Sequence, residues 1–137
     1  MQSYVLHLEC SKTGTVYPAN QIHNLSDDGM PLLVRYDLKK IKREFSKDSW
    51  CMESEPGFWR YQALLPLSKA ASKISLGEVV TPLIPLKKSS NILGGKPGNI
   101  IVKDEGRLPT GSFKARGLAL AVSMAHQFGL KHLAIPT

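Results

Sequence analysis

The strongest constraint on the fold lies in the last third of the chain, where two short apolar runs flank one long amphipathic segment. Ile100-Ile101-Val102-Lys103 reads as a strand, residues 112–128 as a helix, and His132-Leu133-Ala134-Ile135 as a second strand. Elements of these lengths in this order make a βαβ unit, which joins parallel strands through a right-handed crossover. Gly129 stands where a helix-terminating glycine belongs. Parallel strands need neighbours on both sides and cover on both faces. Only two candidates are in sight, so an apolar strand running into Ile135-Pro136-Thr137 predicts a sheet that continues beyond the last residue. The expected fold class is α/β: a small N-terminal antiparallel β-sheet element followed by the start of a βαβ parallel-sheet domain, incomplete here.

Upstream, Tyr4, Leu6 and Leu8 alternate with Ser3, Val5, His7 and Glu9, and Ser11-Lys12-Thr13-Gly14 turns the chain into Val16-Tyr17. That pattern predicts a β-hairpin. Leu32 to Tyr36 repeats the alternation after the turn-rich Asn24 to Gly29 stretch and supplies a third strand. Asp37 can cap a helix carrying Leu38, Ile41 and Phe45 on one side, with Lys39, Lys40, Lys42 and Arg43 as a solvated face rather than an anion site. Pro56-Gly57 precedes a short aromatic-rich helix, Phe58 to Leu65, stopped by Pro66. Pro82 and Pro85 make Leu76 to Leu86 an extended covering segment rather than a central strand. Gly94-Gly95-Lys96-Pro97-Gly98 lacks Walker spacing and a following helix, which makes it a surface turn. The expected division is a β-rich subdomain over 1–50, a linker with a short helix over 51–75, and the beginning of an α/β domain over 76–137.

Composition narrows the function classes. Of the 137 residues 42% are hydrophobic and 21% charged, enough apolar side chain for a core and unlike a disordered chain. Eighteen Lys plus Arg against eleven Asp plus Glu give +7, which suits a nucleic acid, an anionic surface or a small anionic ligand. The basic residues are dispersed and lack interleaved aromatics, which argues against a nucleic-acid-binding module. No run approaches a membrane span, and Met1 to Cys10 lacks a basic leader and an unbroken apolar stretch, so a cytoplasmic protein is expected. Cys10 and Cys51 lie far apart without a framework of spaced partners, unlike a disulfide-stapled secreted domain.

The chemistry centres on Lys114. On a helix from Ser112, Phe113, Gly117, Leu120, Ala121, Met124 and Phe128 share a core-facing stripe that Leu118, Val122 and Ala125 widen. Arg116, Ser123, His126 and Gln127 form the polar remainder. Lys114 precedes Leu118 and Ala121 by four and seven residues, which puts it on the apolar side, in a first turn that can open onto a pocket. Desolvation and the positive end of the helix dipole both disfavour its ammonium form and so favour a nucleophilic amine. Such an amine suits Schiff-base chemistry with an aldehyde cofactor, for which pyridoxal phosphate is the natural candidate. Phe113 could flank the cofactor ring, and the freed amine could shuttle protons at substrate carbons. Periodicity alone leaves open the commoner fate of a lone lysine, which is to snorkel into solvent.

Val102-Lys103-Asp104-Glu105-Gly106 and Leu108-Pro109-Thr110-Gly111-Ser112-Phe113-Lys114-Ala115-Arg116-Gly117 closely resemble the lysine segment of threonine synthases. Trp59-Arg60-Tyr61, Leu64-Leu65-Pro66, Leu76-Gly77-Glu78 and Thr81-Pro82-Leu83 extend the resemblance upstream to almost the whole chain. It implies a tryptophan-synthase-β-like fold, pyridoxal phosphate held by Lys114 beside Phe113, and a lyase that converts O-phosphohomoserine and water to threonine and phosphate. The chain would be the N-terminal part of such an enzyme. Its asparagine loop, phosphate cradle and pyridine-nitrogen contact are expected downstream of Thr137, so these 137 residues alone are expected to be inactive. The partner is then a small phosphorylated amino acid, with neither nucleic acid nor membrane, and open sheet edges favour homo-oligomers. Serine and threonine dehydratases and cysteate-synthase-like enzymes share the lysine segment and stand as the alternative reading. Gly77-Glu78-Val79-Val80 departs from the Gly-Glu-Gly that relatives often carry. Some relatives begin with two Cys-x-x-Cys pairs, but here Cys10 is followed by Thr13, and the later turn is Leu25-Ser26-Asp27-Asp28-Gly29. A tetrahedral zinc site would lack its thiolates, so no metal is expected, and His7 and His23 are read as ordinary strand and loop residues.

Overall fold

The computed structural model describes residues 3–46, 48, 55, 57–96 and 98–135. Cys51, Pro56, Pro97, Pro136 and Thr137, which enter the expectations above, lie outside the described residues. Strand β1 (Val5–Cys10) is the centre of a three-stranded antiparallel sheet, with β2 (Val16–Tyr17) on one side and β3 (Leu32–Tyr36) on the other. Leu8 pairs with Tyr17 and Val34, and Cys10 with Leu32. The expected hairpin and third strand are both present. The alternation is broken where the register shifts between Val5 and His7, and Leu6 is exposed instead of facing inward.

Asp37 caps helix α1 (Leu38–Glu44) by accepting a 2.8 Å hydrogen bond from the Lys40 N–H. The helix buries none of its residues, and Leu38 is exposed. Just past its end, Phe45 meets Tyr4 edge-to-face at 5.4 Å, and Lys40 Nζ lies 5.3 Å from the centre of the same ring. The aromatic segment Phe58–Leu64 forms a 3-10 helix. Its Trp59 joins Leu67 and Ala119 in the main buried cluster, flanked by Phe58, Leu65, Leu120 and Met124.

Strand β4 (Leu83–Pro85) and strand β5 (Ile101–Lys103) form a two-stranded antiparallel sheet, with helix α2 (Lys87–Ile92) between them in sequence. The 76–86 segment therefore contains a short strand, with Pro85 at its end. Ser90 is fully buried beneath this connection, donating to Leu86 O at 2.8 Å and accepting from Ile100 N–H at 3.1 Å. The long helix, α3, spans Lys114–Gln127. Gly129 (φ 73°) ends it: its N–H bonds to His126 O, and Leu130 N–H bonds to Ala125 O. These two bonds make a Schellman motif.

The architecture is thus mixed α/β with small antiparallel sheets. The expected parallel pairing is not seen among the described residues: β5 takes β4 as its partner, and 132–135 is extended without a ladder. A strand draws its stability from a neighbour's hydrogen bonds, and no described strand lies beside 132–135 to provide them. No helix among the described residues is long and apolar enough to cross a membrane.

Candidate active site

The lysine segment is a chain of local devices that ends in a helix N-terminus. Asp104 accepts from the Gly106 N–H and pairs with Arg107, stabilising a 3-10 turn over Glu105–Arg107. Leu108 is buried, and its carbonyl accepts from Gly111 N–H at 2.8 Å. Gly111 has φ 69°, the left-handed region that favours glycine, and this closes the Leu108–Gly111 turn. Ser112 O then accepts from Ala115 N–H at 3.2 Å, Phe113 is already helical in φ and ψ, and Lys114 opens α3.

Phe113 and Lys114 are both exposed, Phe113 to 68%. The expectation that Lys114 starts along a buried stripe is therefore corrected, and with it the desolvation argument for its amine. The buried face of α3 is Ala115, Ala119, Ser123 and Ala125, whereas Gly117 and Ala121 are exposed. Leu120 and Met124 do pack on the core cluster as expected. The small side chains of this face let the 68–74 segment approach closely. Ser123, read above as polar surface, is fully buried: it accepts from Ile74 N–H at 2.9 Å and donates to Ala119 O at 2.7 Å. Gln127 accepts from the N–H groups of Ser68 and Lys69, both at 2.9 Å.

Beside Lys114 the surface is open. A Cβ on Gly117, one turn along, would meet nothing within 4 Å. On the adjoining flank lies an apolar groove of about 410 Å³ whose walls include Ile74, Leu76, Thr110, Leu118 and Val122. Lys114 does not line it, although Thr110, Ala115 and Leu118 around it do. Glu78 also lines the groove and is buried, accepting from the Trp59 indole N–H at 3.3 Å, from Leu76 N–H at 3.0 Å and from the Ser75 hydroxyl. Burial alone would raise this carboxyl, but the hydrogen bonds outweigh it and hold it below its ordinary value. The departure at Val79 leaves an exposed side chain, while the Val79 backbone carbonyl accepts from Arg116.

A network that the sequence reading did not single out sits behind the lysine. Arg116 grips Glu105 with both arms of its fork, Nε to Oε2 at 2.7 Å and Nη2 to Oε1 at 3.1 Å. Nη2 also reaches Thr81 Oγ1 and Val79 O, each at 3.3 Å, the Thr81 hydroxyl donates to Glu105, and Lys103 lies 3.5 Å from the same carboxylate. The Arg116 hydrogen bonds, then that of Thr81, hold the Glu105 carboxyl down at about 2, and Glu105 in turn raises the Arg116 guanidinium. The spacings Lys103-x-Glu105 and Lys114-x-Arg116 were the available signal.

The N-terminal sheet has a different character. Cys10 Sγ lies 3.2 Å from Ser26 Oγ, and Thr13 N–H points at the sulfur from 3.5 Å. The Ser26 and Thr13 hydrogen bonds bring the thiol down to about 7. His23 Nε2 contacts Pro18 O at 3.0 Å, and His7 lies 3.9 Å from Glu9. No group of three or more His, Cys, Asp or Glu among the described residues is placed to hold a metal ion.

Residues 74–137 match the family described as pyridoxal-phosphate dependent enzymes. The chain is 35% identical over 122 residues to a curated threonine synthase of Methanocaldococcus jannaschii, an alignment covering 89% of this chain and 29% of that protein. It is 34% identical over 131 residues to the threonine synthase of Methanosarcina acetivorans, covering 93% of this chain and 30% of the relative. Identity rises to 45% over 69 residues, 50% of the chain and 19% of the relative, with the threonine synthase of Halalkalibacterium halodurans. The chain thus spans under a third of the length of these relatives. No solved structure matches it. The lysine segment thus lies inside the region that is similar to pyridoxal-phosphate dependent enzymes, and threonine synthases align with most of the chain's length.

Proposed function

We propose that the chain carries the cofactor lysine of a threonine-synthase-type lyase, which turns O-phosphohomoserine and water into threonine and phosphate. The observation that carries this reading is the segment Pro109 to Gly117, which sets an accessible lysine at the start of a 14-residue helix within a chain similar to threonine synthases over 89% of its length. The residues present fit the cofactor. Lys114 offers an exposed primary amine at the positive end of α3, Phe113 offers an exposed ring beside it, and Gly117 leaves the neighbouring surface open. When bound, the cofactor supplies the electron sink that makes carbanion chemistry on an amino acid accessible.

The chain's own residues then have distinct tasks. Lys114 would hold the cofactor covalently through its Nζ, and its amine would carry protons to and from the substrate carbons. Phe113 would flank the ring and exclude water from one side of it. Within this reading the chain divides into a β-rich subdomain over 1–50, a linker over 51–75, and the beginning of the cofactor domain from 76, a boundary supported by the family match starting at residue 74. There β5, α3 and the extended 132–135 segment would form the strand–helix–strand start of a parallel sheet.

Borohydride reduction of the full chain with pyridoxal phosphate, followed by peptide mass spectrometry, tests the lysine. The adduct is expected on Lys114 and absent from Lys114→Ala. Equal trapping in both would refute the assignment. Separate incubation of the whole enzyme, of which this chain would be the N-terminal part, with O-phosphohomoserine, threonine, serine and O-phosphoserine tests the substrate, with threonine plus phosphate expected only from the first.

A further inference from the structure

We infer that Arg116, clamped by Glu105 and Thr81, is a positioning residue that sets the rotation of α3 and thereby aims Lys114 at the cofactor; the inference rests on the cofactor role proposed for Lys114.

The first turn of α3 has little to hold it by itself. Phe113 precedes it in helical conformation and no side chain caps it, so the usual device for fixing a helix start is missing. Among the described residues, Arg116 supplies the side-chain hydrogen bonds that join this turn to the rest of the fold. They reach two separate stretches of chain, Val79–Thr81 and the Glu105 turn. A planar fork held at 2.7 and 3.1 Å on one carboxylate fixes direction as well as distance.

Residues two apart on a helix differ by about 200° in direction. Pulling Arg116 inward onto Glu105 therefore turns Lys114 outward, as their exposures show: the Arg116 side chain is 22% exposed, while Lys114 is exposed. If the clamp is lost, a rotation of about 20° moves a group about 6 Å from the axis by roughly 2 Å. Misplacement by about 1 Å can cost a reaction about a hundredfold.

The test uses the full chain expressed from its natural gene, in parent, Lys114→Ala, Arg116→Lys and Glu105→Gln forms. Arg116→Lys keeps the charge and loses the fork, whereas Glu105→Gln keeps the shape and loses the charge. The measurements are the rate of borohydride-trappable capture at Lys114 and the induced circular dichroism per bound pyridoxal phosphate. Amide exchange of the first turn of α3 is followed in the cofactor-free protein, with far-UV circular dichroism as the check on folding. Arg116→Lys is expected to slow capture at least about tenfold, lower the induced signal per bound cofactor and speed exchange at Ala115. A purely structural role would lower the melting temperature and leave capture and induced signal per folded molecule unchanged, and that result overturns the inference. Should Arg116→Lys not fold, Glu105→Gln decides on the same readouts. A parent chain without Lys114-dependent capture would overturn the cofactor reading and this inference with it. Lys114-dependent capture that is equal in parent and variants overturns the inference alone.

Discussion

Replacing Gly57 with alanine would test how the core is joined to the groove. Gly57 has φ 79° and ψ −146°, a conformation open essentially only to glycine, and a Cβ there would lie 1.9 Å from the Glu78 carbonyl oxygen. That oxygen also accepts from Phe58 N–H at 3.2 Å, so it cannot retreat without losing a bond. The backbone strain costs about 1–3 kcal/mol and forcing the two segments apart about another 1–3 kcal/mol, together about 2–6 kcal/mol. Gly14→Ala is the matched control: φ is 72° there, but nothing lies within 4 Å of the new Cβ. It should cost about 1–2 kcal/mol. At about 4 °C per kcal/mol for a domain of this size, thermal melts should fall by roughly 8–24 °C for Gly57→Ala and 4–8 °C for Gly14→Ala. Tryptophan fluorescence should also change in Gly57→Ala, because Trp59 donates to the Glu78 side chain. Equal losses in the two variants, with unchanged fluorescence, would show that the close approach of Gly57 to Glu78 carries no weight.

Two further outcomes follow from buried or clamped polar groups. Ser123→Ala removes the acceptor of the Ile74 N–H, and leaving that amide unpaired should cost about 1–3 kcal/mol, read by urea denaturation; Gln127→Ala, which releases amides nearer solvent, should cost less. Glu105 titrates near 2 in the folded chain against 4.5 for an ordinary glutamate, so its contribution is fully present above about pH 4.5 and is lost as pH falls toward 2. The melting temperature of Glu105→Gln should therefore fall less steeply across that window than that of the parent. Parallel acid limbs would contradict the clamp.

The N-terminal sheet, the start of α1 and the end of α3 were legible from local chemistry. Asp37 before an amphipathic run, Gly129 after one, and alternation in residues 3–9 and 32–36 act through neighbours a few residues away, and these elements form where expected. The lysine segment was legible as well, because its turn and helix start lie within ten residues of chain. The bulge between Val5 and His7 was not, since it depends on how β3 lies against β1.

What the sequence determined by itself, then, was the N-terminal strands, the capped start of α1, the glycine end of α3 and the lysine at its head. Only the tertiary structure decided which way α3 is turned and which strand β5 takes as its neighbour. An apolar stripe of large residues and a face of small ones are both plausible inward faces of a helix. The inward face is Ala115, Ala119 and Ser123, where Ser123 satisfies Ile74 and Arg116, at the helix start, is held by Glu105. Likewise an apolar run can pair with any strand whose free N–H and C=O groups reach it, and β4 is the one beside β5. Both outcomes rest on partners distant in sequence, and they are why Lys114 stands exposed while Arg116, two residues on, is drawn inward to Glu105.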